Sequence, residues 1–233
     1  MISVFLFAAL PARLSTQTAT PPSANAASDE AAMAKLTALR NAFIDQVKAE
    51  GFQPCHAAPE IVLDNPRSYG RYEGAKNILH IAVWSAMHPE DQARFTRIVG
   101  ILSPGKTGER EFEDAVHRWA FIHELSHWWE ACQHKNLETL YAFEYGANRI
   151  AAAYWRSKDP AFMENTAKKM AAIRSIMNDP VPPAQSQENF FNKNYGDLSS
   201  TTYRWFQYTM VLNAQAEKPL PSFKQTLQNP IYP

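Results

Sequence analysis

The string His123-Glu124-Leu125-Ser126-His127 constrains this chain more than any other stretch. On an α-helix its two histidines lie one turn apart, about 40° around the axis and about 6 Å along it, so both imidazoles can converge on one ion. Glu124 is offset by about 100°, where it reaches a water beside that ion without ligating it. The alternative is a core helix whose histidines are satisfied by neighbouring carbonyls, with Trp128 and Trp129 as apolar bulk. A third ligand separates the two, because a tetrahedral catalytic zinc takes three protein ligands and leaves its fourth position to water.

Periodicity places the string on a long helix from Glu111 to about Gln133. Leu36, Leu39, Phe43 and Val47 mark an earlier helix, Ala31 to Gly51. Glu60–Asp64 and Asn77–Trp84 read as two antiparallel strands joined by a long hairpin. Pro89 to Val99 reads as a helix with proline in its first turn. Helices then dominate: Leu137 to Lys158, Ala161 to Met177, and Thr201 to Ala214. Gln185 to Asn194 reads as a loop, and 218–233 has little periodicity. The expected class is α+β, predominantly α, with a small antiparallel sheet and a helical C-terminal part. The expected divisions are an N-terminal segment at 1–28, a domain at 29–217 and a tail at 218–233.

Glu144 and Asn148, in Glu144-Tyr145-Gly146-Ala147-Asn148, share one face of the following helix. Here the chain resembles the gluzincin metallopeptidases, which carry H-E-x-x-H followed by E-x-x-x-D. The resemblance spans Ile78 to Ala152 and rests on His123, Glu124, His127, Glu144 and Asn148. It implies a zincin-like domain in which His123, His127 and Glu144 hold one Zn²⁺. Asn148, where the family has aspartate, is then the acceptor for a ligand histidine's second ring N–H. It further implies peptide-bond hydrolysis, with Glu124 as general base and a peptide or protein as substrate. A non-catalytic zincin-like module is the alternative.

Glu130 and His134 fall on the same helical stripe, but Glu130 is about 10 Å along the axis from His123 and sits too far for a shared ion. The metzincin string fails, since Glu130 and Gln133 stand where it needs glycine and histidine. Thermolysin-type relatives stabilise the oxyanion with a downstream histidine and a tyrosine. No histidine follows Glu144, so Tyr195, Tyr203 and Arg204 are the alternatives, with Tyr203 and Arg204 preferred. In zincins an edge strand pairs with the substrate backbone, a role Ile78–Trp84 could take. His117 is expected in the core, and His56, His80 and His88 in structural or surface roles.

Lysine plus arginine equals aspartate plus glutamate at 23 each, which argues against nucleic acid and anionic membrane as partners. The apolar run Ile2–Leu10 followed by Ala24-Asn25-Ala26 resembles a signal peptide and its cleavage site, although no lysine or arginine precedes the run. The expectation is an exported protein beginning near Ala27, with no stable membrane insertion. Cys55 and Cys132 fit either compartment, joined if exported and buried as thiols otherwise. On the motif helix Cys132 faces away from the metal.

Overall fold

The computed structural model describes residues 24–66, 68–103, 105–133 and 139–231. The export-signal reading falls largely on residues 1–23, outside the described residues, as does His134. Among the described residues no helix is long and apolar enough to cross a membrane.

The molecule is mostly helical with one small sheet. α1 (Ala24–Ala49) buries Leu36, Phe43 and Val47, the face its spacing predicts. The sheet differs from expectation. It has three strands, β1 (Glu60–Leu63), β2 (Gly70–Glu73) and β3 (Ile78–Ile81), in the order β1-β3-β2. β1 runs parallel to β3, with Ile61 opposite Leu79, while β2 is antiparallel to β3, with Tyr72 opposite Leu79. The sheet is therefore mixed, and the tight hairpin joins β2 to β3 through Gly74–Asn77. Asn77 takes the left-handed conformation, φ 57°, that asparagine tolerates in turns. β3 is thus central, so the edge-strand role open to Ile78–Trp84 does not fall to it. Its alternate residues Leu79 and Ile81 are buried, as a period of two requires.

α2 (Pro89–Leu102) begins at its proline. The predicted long motif helix is continuous but not uniform. α3 (Gly108–Phe112) leads into a π-helical segment, Glu113–Ala120, and then into α4 (Phe121–Cys132). Within the π segment His117 Nε2 donates to the Ala82 carbonyl at 2.9 Å, and its ring packs edge-on against Phe112, in line with its expected core role. π segments of this kind recur beside functional sites.

α5 (Leu140–Lys158) starts at Thr139, whose hydroxyl accepts from the Ala142 amide, and stops before Asp159, which caps α6 (Pro160–Ser175). The supposed loop at 185–194 contains α7 (Gln187–Asn194), capped by Ser186. Asparagine has weak helix propensity, and the buried Phe191 outweighs it. α8 (Ser200–Ala216) matches its predicted span within two residues. The stretch 218–233 nonetheless contains α9 (Phe223–Gln228), which Ser222 and Gln225 start as a capping box. Phe223 and Leu227 join the main core.

Two ties fix α4. A disulfide joins Cys132 at its end to Cys55, 77 residues earlier, with Cα atoms 5.2 Å apart. The indole N–H groups of Trp128 and Trp129 donate to the carbonyls of Ala57 and Leu227, each at 3.1 Å. Both tryptophans are fully buried, so α4 lies at the centre of the molecule.

Candidate metal centre

α4 brings His123 and His127 onto the side that faces α5, and α5 presents Glu144 to them. The two Nε2 atoms lie 3.1 Å apart. Glu144 Oε2 lies 3.3 Å from His123 Nε2 and 3.8 Å from His127 Nε2. Zinc bonds of about 2.0–2.2 Å in a tetrahedral shell place ligand atoms roughly 3.3 Å apart. The three separations bracket that figure, and the donor set of two imidazoles and one carboxylate suits zinc, so these residues fit the ion. All three are buried, at 4 to 6% exposure. The His127 ring also stacks on Phe143, 4.1 Å between centroids, which limits its rotation.

Glu144 is held from several sides. Its Oε1 accepts from the Tyr195 hydroxyl at 2.9 Å and its Oε2 from Gln207 Nε2 at 2.8 Å. Burial works to raise its pKa, yet hydrogen bonds and charge from His123 and His127 prevail and hold it well below the usual carboxylate range. The same bonds act on His127, where burial opposes the charge but Glu130 and Glu144 hold the imidazole well above its ordinary value.

Asn148 does not take the place that the resemblance implies. Its Nδ2 donates to the Glu144 carbonyl at 2.9 Å and to Gln207 Oε1 at 2.8 Å, so it steadies the arm that carries Glu144. The carboxylate that meets a ring nitrogen of the pair is Glu130, whose Oε2 lies 2.9 Å from His127 Nδ1. Its spacing, three residues past His127, was the available signal. Gln207 was also missed, although it lies one turn after Tyr203 on α8.

Glu124 lies outside the ligand cluster. Its Oε2 accepts from the Tyr72 amide of β2 at 2.8 Å. Gly70 admits this approach, since an added Cβ would stand 3.1 Å from Glu124 Cγ.

The two oxyanion alternatives separate. Burial, then the charges of Glu144, Tyr195 and Glu124, push the Tyr203 hydroxyl well above its ordinary pKa, so it stays protonated beside the cluster. Tyr195 is raised by burial and Glu144 in the same way. Arg204 is one residue on, turned about 100° around α8. Its charge bears on Tyr208, which also feels Glu111 and Arg94, so Arg204 belongs to a different flank. His80, bound to Asp64 at 2.7 Å and Glu73 at 3.1 Å, is a sheet residue with no part in the centre. Cys132 is occupied by its disulfide, away from the cluster.

No protein-family model matches this chain, and no curated protein or solved structure matches it.

Proposed function

We propose that this chain is a zinc-dependent peptidase of zincin-like type, with His123, His127 and Glu144 as the metal ligands and Glu124 as general base. The observation that carries the reading is the set of three mutual ligand separations, 3.1, 3.3 and 3.8 Å, around one point. A bound zinc would lower the pKa of a water towards 7 and polarise the scissile carbonyl.

The chain's own groups do the rest. Tyr72 N–H holds Glu124 Oε2, leaving Oε1 to take a proton from the attacking water and hand it to the leaving amine. The protonated Tyr203 hydroxyl donates to the oxygen that gains charge as the carbonyl is attacked. The Cys55–Cys132 disulfide supports an exported location, because such bonds persist in oxidising compartments.

The test is elemental analysis of the purified protein together with cleavage of a fluorogenic peptide library by wild type and Glu124→Gln. One zinc per chain and cleavage by wild type are expected. Glu124→Gln should keep the zinc and lose about 10² to 10⁴ in turnover. The absence of any histidine after Glu144 favours a second reading, a zinc-holding module that binds peptides without cutting them. A zinc-loaded wild type that binds library peptides and cleaves none would establish that second reading.

A further inference from the structure

Glu130 is a carboxylate only 2% exposed, and its Oε2 meets the His127 ring at Nδ1. Among the described residues its Oε1 has no hydrogen-bond partner. That oxygen occupies a notch in α5, where a Cβ added to Gly146 would fall well inside contact distance of it. Burying a carboxylate is costly unless a partner compensates, and a helix-interior glycine is less stable than alanine. Two unfavourable choices thus meet at one point, between the two helices that carry all three ligands.

We propose that Glu130 is a positioning residue for His127, and that Gly146 is the recess that lets it reach the ring. A histidine that binds metal through Nε2 must keep its proton on Nδ1. An anionic acceptor there fixes the tautomer, sets the ring angle and strengthens the Nε2 donor. The Phe143 ring confines the imidazole plane from its face, and Glu130 fixes its rotation within that plane. With alanine at 146, the added methyl would meet Oε1 and push the carboxylate off the ring or force α4 and α5 apart.

The proposal rests on the zinc reading above, and its test separates the two. Zinc affinity is measured by chelator competition for the full chain, and the Co²⁺-substituted protein is followed by its visible d–d spectrum. Glu130→Gln keeps the shape and one acceptor oxygen, and Glu130→Ala removes both. Wild type should bind one zinc. Glu130→Gln should bind about 10-fold more weakly and Glu130→Ala about 100-fold, each with an altered Co²⁺ spectrum and still one metal at saturation.

Gly146→Ala should weaken binding in the wild-type background and much less in Glu130→Ala, where the methyl's one remaining close neighbour is Pro230, its Cβ at 3.2 Å. Should the glycine variant cost the same in both backgrounds, or Glu130→Ala keep wild-type affinity and spectrum, the proposal fails while the zinc site stands. If wild type takes up no zinc, both fall. Thermal melting of the metal-free variants guards against a folding defect. A variant that melts as wild type does but binds zinc weakly has lost positioning alone.

Discussion

Glu124 Oε2 sits 2.8 Å from the backbone N–H of Tyr72, so the proposed base is held by the main chain of the sheet's edge strand. The contact depends on Gly70, whose missing side chain leaves room for Glu124 Cγ. Gly70→Ala should displace Glu124 by a few tenths of an ångström while leaving the ligands alone. The expected result is a turnover loss of roughly 10-fold or more with one zinc retained, because small misplacements of a reacting group are expensive. Loss of zinc in this variant would place Gly70 in the support of the metal, contrary to this account.

In the proposed centre Glu144 is the one oxygen ligand, and Gln207 and Tyr195 both hold it. Glu144→Ala should weaken zinc binding by orders of magnitude. Gln207→Ala removes a support and not a ligand, so a loss of about 10- to 100-fold is expected. Asn148→Ala acts one step further out, through Gln207 and the Glu144 carbonyl, and should cost less than Gln207→Ala. Chelator competition on the three variants gives the order, and an Asn148→Ala loss larger than that of Gln207→Ala would point to direct contact with a histidine.

Tyr203 and Arg204 are neighbours in sequence that α8 turns to different surroundings. Tyr203→Phe should lower kcat by about 10²- to 10³-fold with little change in zinc content, the usual effect of losing one oxyanion donor. Arg204→Ala should leave kcat close to wild type. Steady-state kinetics on a cleaved library peptide decides the matter, and equal losses in both variants would refute the assignment.

The helices that carry the centre were legible because their signals are local. Two histidines one turn apart, a glutamate on the next helix and apolar periodicity all sit within short windows. The sheet was misread because Gly70-Arg71-Tyr72-Glu73 offers a single residue with strong strand preference, and its pairing with β3 is set by packing against α4. α9 was missed for a similar reason. Phe223 and Leu227 are four apart in a proline-flanked segment too short to show a period, and burial in the core fixes them. On the helix Glu130 stands too far from His123 to share an ion with it, and spacing alone gives it no other role. Its contact with His127 Nδ1 needs the α5 notch at Gly146, and no one-dimensional spacing reveals that.

The Cys55–Cys132 disulfide closes a loop of 77 residues and anchors the end of the motif helix. Chain-entropy arguments give about 4.5 kcal/mol for a loop of that length. In a chain of 233 residues that corresponds to a Tm lower by roughly 10 °C once the bond is removed. Cys55→Ser with Cys132→Ser, melted beside wild type by circular dichroism, should show it. A change within about 1 °C would mean that the indole bonds of Trp128 and Trp129 already hold α4 in the unbridged protein.

His117 offers a pH dependence that is separate from the metal ligands. Burial dominates and lowers its pKa below the ordinary 6.5, while the bond to the Ala82 carbonyl opposes this less strongly. The unfolded chain therefore binds this proton more readily than the folded one, and stability rises with pH through the interval between the two values. Its contribution is complete above about pH 6.5 and is lost as pH falls through the lower folded value. His117→Gln keeps an amide donor for Ala82 and cannot take up a proton. Urea unfolding of metal-free wild type and variant between about pH 5 and 7 should give a shallower acid-side decline in the variant. Parallel curves across that interval would show that His117 is not taking up a proton on unfolding.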